Sequence, residues 1–282
     1  MAATRFSRTS VSACLPNSFP IGRRGLVRIL VGVGLVVAWE VGARTGRVDA
    51  FFFSSPCQIW AVLLQQFGMK ACPEGEQVLT CVARATIWKH LLVTFQEALG
   101  GLVVGFVVGA ALAWLATRSE LLADLLEPVL LLLNAVPRIV LAPIFVMWLG
   151  LGVQSKIAVS FFLVFVVIFF AVYAGIKEVD RTLVERLTIL GGTWWDSLRE
   201  VYIPSVLSWV FSSLRVAVGF AFTGAIVGEF VGSSAGLGYL MNFATGSQNA
   251  SLLMATVTLI MAFIAVLFAG LERVEHRLMA WK

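Results

Sequence analysis

The sequence predicts an all-α protein that crosses a membrane several times. Hydrophobic residues make up 59% of its 282 positions and charged residues only 13%, against about a quarter in an average soluble domain. The mean hydropathy is +0.92, and the apolar residues form runs that reach the roughly 20 residues a spanning helix needs. Lipid is therefore the expected solvent for much of the chain.

Six apolar runs fit the length of a spanning helix, which puts both termini on one side of the membrane. The expected spans are 25–41, 91–116, 121–151, 157–176, 206–231 and 252–271. Together they form one transmembrane unit over 25–282, after a tail over 1–24. The basic residues before the first run also fit a secretory signal, but that run is long for a signal core and ends without a small-residue cleavage site. A retained first span is the favoured interpretation.

The distribution of lysine and arginine predicts the orientation of the spans. With the N-terminus inside, 13 of the 21 basic residues lie on the cytoplasmic side and 6 outside, and the remaining two, Arg138 and Arg215, lie at or within spans. Both termini are therefore expected in the cytoplasm. No basic tract with interleaved aromatic residues occurs, so topology explains the net charge of +5 and no nucleic-acid partner is expected.

Two spans carry distinctive residues. Pro137 and Pro143 interrupt the third, which predicts a kinked helix or two stacked pieces. Backbone groups freed in a membrane must face protein or water, so this break is a candidate wall of a pathway. A purely structural kink is the alternative. Gly101, Gly105 and Gly109 form two overlapping G-x-x-x-G units in the second span, which predict close helix packing.

The four cysteines have neither C-x-x-C nor histidine spacing, so no metal site is expected. Cys72 and Cys81 lie in a polar stretch over 68–81 and could form a disulfide if that stretch faces an oxidising compartment. Unpaired thiols are the equal alternative.

The sequence argues against chemistry carried out by this chain. Residues 232–236 match the nucleophile-elbow pattern G-x-S-x-G, but His90 and His276, which alone could supply an imidazole base, lie in other segments. No G-x-x-x-x-G-K-[ST] motif occurs, so the chain has no phosphate cradle. We expect no cofactor, and any ATP and Mg²⁺ must be bound by a partner.

The segment between the fourth and fifth spans predicts a helical hairpin at the membrane surface. Apolar residues recur at helical spacing up to Gly191 and Gly192, which should end the first helix. Thr193 can cap a second short helix. Trp194 continues the apolar stripe, and Pro204 marks the entry to the fifth span. Such a hairpin can dock into a partner and transmit its movement to the spans.

The spacing of Glu185, Gly191 and Pro204 resembles the coupling signature of binding-protein-dependent ABC transporter permeases. Blocks around Val136–Pro143 and Leu214–Gly238 are similar to the branch of that family that handles nitrate, aliphatic sulfonates and taurine. The chain departs from the signature at Arg186, Leu187 and Gly192, where the family has alanines. The stretch over 68–81 is an insertion without a counterpart.

The resemblance implies a non-enzymatic importer subunit with six spans in the bacterial inner membrane, embedded in lipid. It implies two permease copies, two ATPase subunits and an external or lipid-anchored binding protein, and it favours a small anionic or zwitterionic substrate. The resemblance implies a coupling segment over 178–204, with Glu185, Gly191, Gly192, Trp194 and Pro204 as the residues that couple the permease to the ATPase. The pathway or gate candidates are Pro137, Arg138, Pro143, Arg215, Glu229, Gly236 and Gly238.

The alternative function is an ion-gradient-driven secondary transporter, which typically shows related halves and midplane carboxylates. No convincing internal repeat occurs, and Glu229 is the clear carboxylate within the late spans. Arg215 lies fourteen residues before it on the same face, roughly 20 Å away along a helix, too far for direct pairing. Glu229 is expected to gate the pathway or to pack the loop that contains Gly236 and Gly238. A salt bridge to Lys156 is the competing interpretation.

Overall fold

A computed structural model describes residues 23–47, 49, 53–68 and 86–278, and the regular structure of these residues is entirely helical. The all-α prediction is confirmed. The helices are α1 (Arg23–Arg44), α2 (Pro56–Gln66), α3 (Thr86–Ala116), α4 (Glu120–Ala135), α5 (Arg138–Leu149), α6 (Val153–Lys177), α7 (Arg181–Ile189), α8 (Trp194–Ser197), α9 (Ile203–Val231), α10 (Leu237–Gly246) and α11 (Ala250–Leu278), and a π-helical turn over Leu198–Tyr202 joins α8 to α9. Most of the tail over 1–24 and of the insertion over 68–81, with Cys72 and Cys81, lies outside the described residues.

Four helices in the described ranges are long and apolar enough to cross a membrane. They are α3, α6, the continuous stretch Trp194–Val231 and α11; α4 and α5 together make up to five. The predicted first span coincides with α1, which is 22 residues long. A total of six spans, with α1 among them, stays a prediction.

The third predicted span consists of two helices rather than one kinked helix. The axes of α4 and α5 differ by 103°, so the pieces meet at nearly a right angle. The break falls at Val136 and Pro137, and Pro137 directly precedes the first turn of α5, where a missing N–H costs nothing. Pro143 and Pro128 are accommodated inside α5 and α4 without a comparable break.

Helix α6 forms the centre of the core and packs against α3, α5 and α9. The small residues of α3 lie directly on it. A Cβ atom added to Gly105 would lie 2.8 Å from Val164 Cβ, and one added to Gly109 would lie 2.7 Å from the carbonyl oxygen of Phe165. Both distances are too short for real side chains, so the predicted packing role of these glycines is confirmed.

Candidate functional site: a hairpin and a buried polar cluster

The first arm of the hairpin is α7, which begins with a side-chain cap. The N–H of Thr182 donates to Asp180 Oδ1 at 2.8 Å, which satisfies one of the orphan donors of the first turn. Hydrogen bonds from Thr182, chiefly from its side chain and also from its backbone, hold the pKa of Asp180 below its ordinary value. The cap is therefore ionised at neutral pH, at the positive end of the helix.

The arm ends at the two glycines, as the sequence predicts. Gly191 has φ +83°, a conformation that L side chains rarely adopt. Its N–H bonds to the carbonyl of Thr188 at 3.0 Å, and the N–H of Gly192 bonds to that of Leu187 at 2.9 Å, which together form a Schellman motif. A Cβ on Gly192 would lie 2.9 Å from the Leu187 carbonyl oxygen. This crowding explains glycine at a position where the family has alanine.

The second arm differs from the prediction of a separate short helix. The N–H of Thr193 donates to Asp196 Oδ2 at 2.7 Å and caps α8. Helix α8 then continues through the π-turn into α9, and the two helices form one stretch of 38 residues. Pro204 does not interrupt this stretch. It lies in the first turn of α9, directly after the π-turn over Leu198–Tyr202, so the hydrogen-bond pattern of the helix changes there without a break.

The tip of the hairpin exposes three large apolar side chains. Ile189 is 84% exposed, Leu190 83% and Trp195 71%; we call these three residues the apolar tip. Sequence analysis selected Glu185 and Trp194, which are also exposed. The three residues of the apolar tip were not selected, because helical spacing does not show whether an apolar residue is covered by another element. A contiguous apolar patch in water is typical of an interaction site.

At the opposite end of the helices, three ionisable side chains are almost completely buried. Glu97 of α3, Lys156 of α6 and Glu229 of α9 are at most 2% exposed, and each interacts electrostatically with the other two. We call these residues, together with His90 and Thr94, the polar cluster. Ionisable groups at membrane depth are costly and usually functional.

Glu229 holds the start of α10 in place. Its Oε2 accepts from the N–H of Gly238 at 2.7 Å, and its Oε1 accepts from Thr94 Oγ1 at 2.7 Å. A Cβ added to Gly236 or Gly238 would overlap Glu229, so only glycine allows this approach. Of the two structural interpretations, the geometry therefore favours loop packing over a salt bridge. The Lys156 ammonium donates instead to the carbonyl oxygens of Leu151 and Gly152.

Two further side chains of α3 complete the attachment of α10. Thr94 Oγ1 accepts from the N–H of Leu237 at 2.8 Å, and His90 Nδ1 accepts from the N–H of Gly236 at 2.9 Å. Sequence analysis considered His90 only as a base for a nucleophilic serine. Its Nδ1 is already occupied by a backbone N–H, which argues against that chemistry.

Glu97 was not among the site residues predicted from the sequence. Its carboxyl group interacts through a side-chain hydrogen bond with the Glu229 carboxyl, but its buried Oε2 meets the geometric criteria for no hydrogen bond among the described residues. A buried polar atom without a partner is costly. A G-x-x-x-G helix normally carries apolar residues on its packed face, and the glutamate four positions before Gly101 was the available signal.

The remaining pathway candidates lie apart from the polar cluster. Arg215 Nη2 lies 3.5 Å from Glu275 Oε2 of α11, so the prediction that Arg215 does not pair with Glu229 is confirmed. Arg138 begins α5, and its side chain lies outside the described part of the chain. Pro137 marks the break before α5, and Pro143 lies within that helix. Their roles in a pathway stay predictions.

The family model described as binding-protein-dependent transport system inner membrane component matches residues 101–279. This match includes the break, the hairpin and the α9–α10 loop. The chain belongs to that family.

The permease is similar to other transport permeases over most of its length. It is 31% identical to the riboflavin transport system permease protein RibX of Chloroflexus aurantiacus, covering 86% of both chains. It is 24% identical to the taurine transport system permease protein TauC of Escherichia coli, covering 93% of this chain and 92% of the relative. The fold is similar to that of a chain of the MetNI methionine ABC transporter, solved in an inward-facing conformation, with a TM-score of 0.54 and 21% identity. The match covers 67% of this chain and 92% of the MetNI chain.

The family match establishes the class of function. The permease is the non-catalytic, multi-pass inner-membrane subunit of an ABC importer, which works with a separate ATPase and a substrate-binding protein. The alternatives of a secondary transporter and of an intramembrane hydrolase are thereby excluded.

Proposed function

We propose that two copies of the permease form the pathway and that the hairpin of each copy docks on one of two ATPase subunits. The observation that carries this proposal is the apolar tip. Exposure of isoleucine, leucine and tryptophan side chains to water is unfavourable. Burying them in a groove of the ATPase would stabilise the complex by about 25 cal/mol for each Å² of apolar surface covered. Glu185, exposed on α7, places a charge at the rim of the same surface.

The second arm of the hairpin transmits the movement of the ATPase. Helix α8, the π-turn and α9 form one stretch of 38 residues, about 57 Å long at 1.5 Å per residue. Its far end carries Glu229, which is bonded to α10. A displacement of the hairpin therefore moves α10 as well, and this connection couples the ATPase to access at the opposite face.

The hairpin faces the cytoplasm in this proposal, with both termini on the same side. The excess of basic residues, 13 against 6, supports that orientation through the positive-inside bias. The loop over 232–236 and α10 then lie at the outer face, where the binding protein delivers the solute.

For the substrate, we propose a small anionic or zwitterionic solute of the sulfonate, taurine or nitrate type. Its support is the set of residue blocks shared with that branch and the similarity to TauC. A flat heteroaromatic solute is the second candidate, favoured by the higher identity to RibX. Binding measurements on the cognate binding protein with taurine, an alkyl sulfonate, nitrate and riboflavin separate the two, since tight binding of riboflavin alone contradicts the first.

The coupling proposal is tested in vesicles that contain the permease, its ATPase and its binding protein. Replacing Ile189 by Asp and Trp195 by Ala together should reduce ATP hydrolysis to the level of the isolated ATPase, because the docking surface loses its apolar character. Trp60→Ala is the matched control, since Trp60 is 64% exposed but lies on α2. Full stimulation by the double variant would refute docking through the apolar tip.

A further inference from the structure

A cavity of roughly 400 Å³ opens between the hairpin-side ends of α3, α6 and α9. This volume is within the range of about 300–1,000 Å³ that is typical of ligand sites. Its walls are mainly apolar, with Phe106 and Ala110 from α3, Val172 from α6 and Val210 from α9. From Phe106 to Arg118 the cavity follows twelve residues of α3 and its C-terminal turn, roughly 18 Å at the helical rise. It is therefore a long slot parallel to the spans.

The mouth of the slot combines two indole rings with one cation. The guanidinium carbon of Arg118 lies 4.9 Å from the centroid of the Trp114 ring and 5.7 Å from that of Trp194. Both tryptophans are about half exposed. Among the described residues that line the cavity, Arg118 is the charged one. Tryptophan and arginine at the end of a spanning helix are typical of the headgroup level of a membrane.

We propose that this cavity binds an anionic phospholipid, with its phosphate at Arg118 and one acyl chain in the slot towards Phe106. A guanidinium held between indoles matches a phosphate in charge and hydrogen-bonding geometry. The apolar walls match a hydrocarbon chain. A peptide fits less well, because its backbone groups would find few polar side chains besides Thr117 and Tyr202 along the slot.

The bound lipid touches the joint between the hairpin and the span. Leu198 and Tyr202 of the π-turn line the cavity, and π-helical turns inside longer helices are frequent at functional sites. Occupation of the slot therefore supports the joint in one position. This inference depends on the proposed orientation only for assigning the lipid to the cytoplasmic leaflet, and binding itself can be measured without the ATPase.

The experiment is a titration of the full-length permease with phosphatidylglycerol and with phosphatidylcholine, followed by native mass spectrometry. We expect one phosphatidylglycerol bound per chain in preference to phosphatidylcholine. Arg118→Gln should weaken phosphatidylglycerol roughly fivefold, the effect of removing one cation near an anionic headgroup. Ala110→Leu, which fills the slot and keeps the cation, should abolish binding of either lipid at this site.

Arg273→Gln is the matched control, because it removes the same charge from α11 at the same end of the molecule and should bind like the wild type. Equal affinity of the wild type and the Arg118→Gln variant would overturn the proposal, and so would equal losses in the Arg118 and Arg273 variants. A change in dimerisation rather than in lipid binding would assign the slot to a second copy. Loss of lipid binding in the Ala110→Leu variant with unchanged ATPase stimulation would contradict only the role of the lipid at the joint.

Discussion

Replacing Thr94 by valine tests whether the polar cluster fastens α10 to the spans. Valine has nearly the same shape as threonine, so the substitution removes the hydroxyl and leaves the packing almost unchanged. In the wild type that hydroxyl accepts from the N–H of Leu237 and donates to Glu229 Oε1. The variant leaves both groups buried without this partner.

The magnitude follows from the two lost bonds. Each buried group left unsatisfied costs about 1–3 kcal/mol. The free energy needed to open the start of α10 should therefore fall by roughly 2–6 kcal/mol for the two groups together. Since 1.4 kcal/mol corresponds to a factor of ten, the smaller figure predicts a population of the open state about thirtyfold higher.

Hydrogen exchange of the amides over 236–240 measures that population directly. We expect these amides to exchange at least about thirtyfold faster in the Thr94→Val variant. Thr256→Val is the matched control: Thr256 is equally buried, but its hydroxyl donates only to the carbonyl of Leu252 in its own helix. Removing the Thr256 hydroxyl leaves no buried donor without a partner, so exchange of the amides over 236–240 should change by less than about threefold.

Exchange at 236–240 that stays within about threefold of the wild type in the Thr94 variant would contradict this role of the hydroxyl. Equal acceleration in both variants would also count against it. In that case a general loss of helix packing, rather than the loss of the Thr94 hydroxyl, would explain the opening of the start of α10.

Three further predictions follow from single positions. Gly191→Ala should lower the free energy of unfolding by about 1–2 kcal/mol, because alanine is disfavoured in the left-handed conformation, whereas Gly191→Asn should retain most of the stability. Thermal unfolding of the two variants measures this difference, and equal losses would contradict the role of the positive φ angle. Gly109→Ala should cost about 1–3 kcal/mol by overpacking α3 against α6, whereas Gly34→Ala, which meets open space, should be neutral in the same assay. Arg215→Ala should lower the free energy of unfolding by less than about 1 kcal/mol, because its ion pair with Glu275 spans 3.5 Å and is only partly buried; a larger loss of stability would indicate a structural role that the geometry does not show.

The class of the fold and the ends of the local elements can be predicted from the amino-acid sequence. Composition and the length of the apolar runs are sufficient to predict membrane helices, since both depend only on transfer to lipid. Local signals were also sufficient for the hairpin: Gly191 ended α7, and Thr193 began the next helix. Local reasoning was insufficient at the second arm, where a separate short helix was expected and the chain instead continues from Trp194 to Val231 as one stretch.

The contacts between side chains of different helices depend on the tertiary packing and could not be predicted from the sequence. Thr94 and Glu229 are 135 positions apart, and Lys156 interacts electrostatically with Glu229 from a third helix. Helical periodicity gives the face on which a residue lies, but it does not fix the relative height and rotation of two helices. That register is determined by the glycine contacts between α3 and α6 and by the packing of α9 on both. The same packing leaves the apolar tip unburied, because no other part of the described chain reaches it.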